Sequence, residues 1–187
     1  CISVNDVLVH AVPSDNVVMK DEDLVKVDIC ISYKGYCADM TRMFVVGNIA
    51  PNKIYSNMIK CANEALIAAF DECYVGSSIG SIGSVIKNKI VKYGFSVVRS
   101  FTGHGIGENI HEEPSVPNWG KPGKGVKIKS GMGLAIEPMF CQFSSELIID
   151  KDDGWTARTK DGGIAAHMED TVVIGRDGAI ITTRPDL

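Results

Sequence analysis

The sequence predicts a single α/β domain made of two similar halves. Strand-like apolar runs occupy both ends of the 187-residue chain, and two segments with helical periodicity lie between them. Each half carries acidic residues inside apolar strands, and a glycine-rich segment with two histidines joins the halves. We expect one domain over residues 1–187. We also expect an N-terminal portion to be missing, because the chain opens on a strand-like run without an initiator methionine.

Composition restricts the classes of function. Hydrophobic residues make up 45% of the chain, which is enough for one substantial core. The net charge of −4 gives no basis for a nucleic-acid or anionic-membrane surface, and no apolar run approaches the ~20 residues of a membrane helix. Scattered cysteines without a CxxC pair are typical of reduced thiols, so we expect a cytoplasmic protein.

The first half is dominated by a predicted β-hairpin. Residues 1–12 are predicted as a strand or extended segment that has His10 near its end and is stopped by Pro13. Two longer strand-like runs follow at residues 24–33 and 36–46, and the Lys-Gly pair between them has the length of a tight hairpin turn.

This hairpin brings two acids to one face. With the tight turn, Cys30 lies opposite Asp39, and Asp28 becomes a diagonal neighbour of Asp39 within roughly 7–8 Å. Two neighbouring carboxylates on an apolar hairpin repel each other unless a cation compensates them. The face is therefore a metal site, or it is solvated, or Arg42 and Lys26 pair with the acids.

Two helices are predicted after the hairpin. The first covers residues 51–73, and the second covers residues 79–93, with Ser77 or Ser78 as its N-cap and Gly94 after its end. The expected core positions are Ile54, Met58, Ala62, Ala65, Ala69 and Cys73 in the first helix, and Ile79, Ile82, Val85, Ile86 and Ile90 in the second.

The segment 101–114 joins the halves and carries His104 and His111. Glycines on both sides of His104 allow tight turns and close approach to a ligand. This pattern indicates a metal ligand or proton carrier on a shaped loop, although a polar loop whose histidines only contact water has the same composition.

The second half repeats the pattern of acids inside apolar strands. Residues 132–140 form a strand that carries Glu137, and residues 165–174 form a strand with His167 and Glu169 on one face and Asp170 on the other. The remaining predictions are a strand-like segment around Trp155, a last strand at 178–184, and a solvated lysine-rich connection at 116–130.

The acids and one histidine together form a candidate ligand set: Asp28, Asp39, His104, Glu137 and Glu169. Hard oxygen donors with one imidazole suit two divalent cations of the Mn, Fe, Co or Zn kind. A structural zinc site would instead favour thiolates and a closed tetrahedron.

The order of these residues and their flanks resembles the type I methionine aminopeptidases. Asp28 and Asp39 are followed by Gly-His104-Gly-Ile-Gly, His111-Glu-Glu-Pro, Ile-Glu137-Pro and Met-Glu169-Asp-Thr. The resemblance runs from Cys1 to the end of the chain. It implies the pita-bread fold, in which two pseudo-symmetric halves form a curved antiparallel sheet covered by helices.

The resemblance also implies a role for each residue. Asp28 and Asp39 would bind one metal ion and His104 and Glu137 the other, with Asp39 and Glu169 bridging both. The implied catalytic residues are His10, His111 and Glu137, and the implied substrate-binding residues are His10, His111, Cys1, Ile110 and Trp155. The chain departs from the family pattern at Cys30, Ile110, His167 and Asp170.

The implied activity is removal of the initiator methionine from nascent proteins with a small second residue. The implied partners are peptide substrates near the ribosome, and we expect a monomer. A proline-specific peptidase of the same fold and a non-catalytic binding protein on that fold are the alternatives.

Overall fold

The computed structural model describes residues 1–48 and 50–184. Its elements are β1 (Ile2–Val4), β2 (Val7–Val9), β3 (Leu24–Tyr33), β4 (Tyr36–Val45), α1 (Lys53–Asp71), α2 (Ile79–Lys92), β5 (Ser96–Val97), β6 (Gly103–Gly105), β7 (Glu112–Val116), β8 (Gly133–Ile136), β9 (Met139–Cys141), β10 (Leu147–Ile149), β11 (Ala157–Thr159), β12 (Ala165–His167), β13 (Asp170–Ile174) and β14 (Ala179–Ile181).

The strands form four antiparallel sheets over the described residues. The largest has the order β14-β13-β8-β6-β7, and the smaller ones have the orders β1-β3-β4, β10-β11-β2 and β12-β9-β5. An isolated bridge between Thr41 and Glu169 joins the β3–β4 hairpin to the residue directly before β13. The predicted α/β class with antiparallel sheets is confirmed.

The hairpin has the predicted register. Cys30 lies opposite Asp39 and Asp28 opposite Thr41, so all four side chains share one face. The turn residues Lys34 and Gly35 both have left-handed backbone, with φ of 50° and 85°. This conformation matches the twist of the two strands and holds the register over their full length.

Both predicted helices are present. Asn52 caps α1 by accepting the backbone N–H of Tyr55, and Ser78 caps α2. The apolar stripes of the helices face the sheets and form most of the main core with Leu134, Phe140 and Val172. Neither helix of the described chain combines the length and apolarity needed to cross a membrane.

One expected core position in α1 is wrong, and one in α2 is only partly buried. Ile54 is 40% exposed, because burial in α1 begins one turn later at Met58. Val85 is partly buried, whereas the other four predicted positions of α2 are buried.

Two strands predicted as continuous are each broken in the middle. The first stops at Ile136 and resumes as β9, and the second stops at His167 and resumes as β13. At these breaks the chain passes between the five-stranded sheet and the β12-β9-β5 sheet. Glu137 and Glu169 therefore lie at the junction of two sheets. The strand-like segment predicted around Trp155 begins as a strand only at Ala157, the first residue of β11, so Trp155 itself lies outside the strand.

Candidate metal centre

Four acidic or imidazole side chains converge where the hairpin meets the sheet junction. One donor atom each of Asp39, His104 and Glu169 lies within 4.8 Å of the other two. The Oε1 atom of Glu137 lies 3.6 Å from Nε2 of His104. Asp28 completes the group from β3, where it is close enough to Asp39 to affect its ionisation. The structure thus brings all five predicted ligands together.

The carboxylates of this cluster are buried and only partly hydrogen-bonded. Asp39, Glu137 and Glu169 are 7%, 9% and 2% exposed. Within the described residues, Oδ1 of Asp39 and Oε1 of Glu169 have no hydrogen-bond partner. A buried carboxylate oxygen without a partner is costly, so these atoms have the properties of ligands for a cation.

The electrostatics of the cluster lead to the same conclusion. Burial, and then the neighbouring Asp28 carboxylate, raises the pKa of Asp39 to about 6. Burial and the surrounding carboxylates raise the pKa of Glu137 and of Glu169 well above the usual value. This concentration of carboxylates would stabilise a divalent cation bound among them.

The alternative in which Arg42 and Lys26 neutralise these acids is wrong. Arg42 forms an ion pair with Asp170 at 2.6 Å and donates to the backbone carbonyl of Glu169. The buried Lys26 ammonium donates to the backbone carbonyls of Asn5 and Ala165. Over residues 1–48 and 50–184, no lysine or arginine pairs with the clustered carboxylates.

His104 is held in the tautomer that a metal ligand requires. Its Nδ1–H donates to the carbonyl oxygen of Gly105 at 2.9 Å, which leaves Nε2 facing Glu137. Burial lowers the pKa of His104 and keeps the imidazole neutral. A Cβ on Gly103 would lie 2.3 Å from the carbonyl oxygen of Ala135, so glycine is required for this close strand packing.

Two threonines support the ligands, and the sequence analysis assigned them no role. Thr41 donates its hydroxyl to Oε2 of Glu169 at 3.1 Å. Thr171 accepts the backbone N–H of Asp39 and donates to its carbonyl oxygen, at 2.9 and 2.8 Å. Each lies two residues from a ligand on the same strand face, so strand alternation is the signal that could have found them.

His167 also faces the cluster. It is 3% exposed, and its Nε2 lies 3.3 Å from Oε2 of Glu137 and 3.8 Å from Oε2 of Glu169. Burial lowers the pKa of His167 to about 4, so the imidazole is neutral. Strand alternation placed it correctly on the face of Glu169, but no role was predicted for it.

Asp170 lies outside the cluster. It is fully buried on the opposite face of the strand, where it pairs with Arg42 and with Arg184, each at 2.6 Å. Cys30 remains on the face of Asp39 but is exposed.

An aromatic group lies beside the cluster. The ring of His10 stacks on Trp155 with a centroid distance of 5.1 Å and contacts Phe101 edge-on at 5.4 Å. Its left-handed backbone, with φ of 68°, turns the end of β2 toward this group. Burial lowers the pKa of His10. Phe101 belongs to this aromatic group, although the sequence pattern did not indicate it as a site residue.

The other predicted substrate-binding residues are His111, Ile110 and Cys1. The ring of His111 lies 4.4 Å from the ring of His104 and is exposed. Ile110 directly precedes it and is partly buried. Cys1 is exposed, and its backbone carbonyl accepts the N–H of Asp28 at 3.0 Å.

Comparison with known proteins agrees with this geometry. Residues 1–176 match the model of metallopeptidase family M24. A methionine aminopeptidase of Clostridium perfringens is 41% identical over 183 residues, which are 98% of this chain and 72% of that protein. The crystal structure of the methionine aminopeptidase of Thermotoga maritima superposes with a TM-score of 0.92 at 36% identity, covering 97% of this chain and 72% of that one. A prolidase of Pyrococcus horikoshii superposes less well, with a TM-score of 0.74 at 26% identity, covering 96% of this chain and 46% of that one.

Proposed function

This chain belongs to metallopeptidase family M24 and, within it, to the methionine aminopeptidases, and we propose that the cluster around Asp39 is its catalytic centre. The protein is therefore a metal-dependent aminopeptidase that removes N-terminal methionine. One observation carries the placement of the centre. Buried carboxylates converge on a neutral imidazole, and within the described residues two of their oxygens lack any hydrogen-bond partner.

We assign five metal ligands: Asp28, Asp39, His104, Glu137 and Glu169. Asp28 and Asp39 would hold one ion and His104 and Glu137 the other, and Asp39 and Glu169 would be shared between them. Two ions of the Mn, Fe, Co or Zn kind suit this mixture of carboxylates with imidazole. Bound there, divalent cations supply Lewis-acid polarisation of the scissile carbonyl and a more acidic water.

Three side chains of the centre have different roles in the reaction. Glu137 would accept the proton of the attacking water, because its carboxylate lies within the ligand cluster where that water would be held. His111 donates a hydrogen bond to the carbonyl oxygen as negative charge develops there. His10 contacts the scissile amide on the leaving side.

Specificity follows from the position of the first residue. The free α-amine of the substrate would be held at the metal position of Asp28, which explains why only the first residue is removed. Trp155 and Cys1 line the slot for an unbranched thioether, with Ile110 at its edge. We propose a preference for methionine followed by a small residue such as alanine, glycine or serine.

We also propose the substrates, the compartment and the oligomeric state of the protein. The substrates are N-termini of nascent proteins near the ribosome, and the protein acts as a cytoplasmic monomer without binding nucleic acid or membrane. We propose a single domain over residues 1–187 that contains the whole ligand set.

A proline-specific peptidase is the second candidate, because a prolidase shares the fold at 26% identity. The higher identity and larger overlap with methionine aminopeptidases favour the first candidate. A non-catalytic binding protein is disfavoured because all five ligand positions keep side chains that bind metal.

Hydrolysis of short peptides tests the proposal. The full chain, loaded in turn with Co²⁺, Mn²⁺, Fe²⁺ or Zn²⁺, should cleave Met-Ala-Ser and leave both Arg-Ala-Ser and an X-Pro dipeptide intact. A chelator should abolish cleavage, and added metal should restore it. Equal cleavage of Met-Ala-Ser and Arg-Ala-Ser would contradict the specificity, and preferred cleavage of the X-Pro dipeptide would support the second candidate.

A further inference from the structure

We propose that His167 is a sixth ligand of the metal centre and binds, through Nε2, the ion held by His104 and Glu137. This inference rests on the metal centre proposed above. It adds a second imidazole to a site whose five assigned ligands include only one.

The two strand breaks aim His167 and Glu137 at each other. His167 ends β12 and pairs with Met139 of β9, two residues after Glu137. Because the chain changes sheets at both points, both residues lie at the junction of the two sheets. The imidazole of His167 is 3% exposed beside the buried carboxylates.

The shortest of the distances from His167 fits a shared cation. Two atoms that bind one ion at 2.0–2.2 Å on adjacent corners of its coordination sphere are about 3.0–3.5 Å apart. The separation of His167 Nε2 from Glu137 Oε2 is 3.3 Å, and from Glu169 Oε2 it is 3.8 Å. His104 Nε2 lies 3.6 Å from the other oxygen of Glu137, so the two imidazoles flank one carboxylate.

The bonding of Nε2 supports the same role. Among the described residues it has no hydrogen-bond partner, despite its short separation from Glu137. A buried ring nitrogen without a partner is costly, whereas a metal bond would satisfy its lone pair. Oε1 of Glu169, which is also without a partner, belongs to the same group of donors.

A second imidazole makes the two metal positions unequal. The position near Glu137 would have two nitrogen donors, whereas the position near Asp28 has carboxylates only. Imidazole favours Zn²⁺ and Co²⁺ over Mn²⁺, so the first ion to bind should enter the histidine-rich position.

X-ray absorption at the zinc edge tests the assignment directly. The untagged full chain with one equivalent of Zn²⁺ should show two imidazoles on the metal. A single imidazole would overturn the proposal, and this measurement needs no variant to fold.

Variants give a second test. In H167Q the imidazole count should fall to one, and Zn²⁺ affinity should fall by more than about 100-fold, the upper limit for loss of an outer hydrogen-bond partner. H111Q is the matched control, because His111 lies near His104 without being an assigned ligand. In H111Q the number of imidazoles on the metal and the Zn²⁺ affinity should not change. A smaller loss in H167Q with an unchanged imidazole count would show that His167 only positions Glu137, which contradicts ligation.

The two proposals fail in different ways. If the wild type cleaves Met-Ala-Ser but binds zinc through one imidazole, the sixth ligand is wrong and the function stands. If zinc is held by two imidazoles but no peptide is cleaved, the sixth ligand stands and the function is wrong.

Discussion

Glu169 and Asp170 are adjacent in the chain, are both buried, and differ in how their charge is compensated. Asp170 accepts hydrogen bonds from the guanidinium groups of Arg42 and Arg184. Glu169 is surrounded by other carboxylates, and its pKa is raised by burial and by Glu137. A buried acid that is paired with arginine has its charge compensated within the fold, and breaking the pair is destabilising, whereas one that shares its site with other acids needs a cation from outside.

Removing a central acid of the cluster should have the largest effect. Asp39 is assigned to both ions, so D39A should abolish hydrolysis and metal retention together. The backbone should stay folded, because the substitution removes a buried charge that repels its neighbours. Elemental analysis and cleavage of Met-Ala-Ser on one preparation measure both effects. Normal activity in D39A would show that the dinuclear assignment is wrong.

Removing the paired acid should act on stability instead. D170N leaves Arg42 and Arg184 without their carboxylate, which should cost about 3 kcal/mol, the lower end for a broken buried pair because both arginines are partly exposed. Chemical denaturation measures this loss. Metal content should be unchanged below the unfolding transition.

An exposed pair provides the control for D170N. Glu146 and Lys160 form a surface ion pair, with side chains 67% and 63% exposed. E146Q should leave the unfolding midpoint nearly unchanged. If D170N were as mild as E146Q, the structural role of Asp170 would be wrong.

Variants of the two histidines in the loop should distinguish loss of catalysis from loss of metal binding. If His111 stabilises the developing oxyanion, H111A should lower kcat by about 10²–10³ while KM and bound metal change little. H104A should lose metal, because it removes a ligand. Metal titration distinguishes the two variants even if both are inactive. Equal metal loss in both would show that the roles assigned along this loop are wrong.

The smallest effect concerns pH. The folded metal-free chain keeps a proton on Asp39 up to about pH 6, whereas the unfolded carboxyl, with its usual pKa of 3.8, has lost it. The contribution of Asp39 to metal-free stability is therefore complete below about pH 3.8 and is lost as the pH rises through about 6. The cation binds the deprotonated form, so the gain in Tm from added Zn²⁺ should increase as the pH rises through about 6.

Thermal unfolding with and without Zn²⁺ measures this change. In D39A the gain in Tm should be small at every pH, since the metal is no longer held. A wild-type gain that stays constant across this range would contradict the raised pKa of Asp39.

Much of the first half could be predicted because its structure depends on local rules. The hairpin register followed from strand alternation and a two-residue turn, and it correctly placed Cys30 opposite Asp39. The two helices followed from apolar spacing and capping residues. The ligand types and their order also indicated a metal centre before any contact between the halves was known.

Contacts between distant parts of the chain decided the rest. The alternation of side chains along the strand could not predict whether Arg42 pairs with Asp28 or with another acid. In the structure Arg42 pairs with Asp170, which is 128 residues away in the chain. The strand breaks at Glu137 and Glu169 arise because the chain changes sheets there, which apolar patterning does not reveal. The sequence determined which residues have metal-binding chemistry, and the packing of two sheets against the hairpin decided which buried acids lack a cationic partner. Local propensities act over a few residues, whereas charge compensation depends on which side chains meet in space.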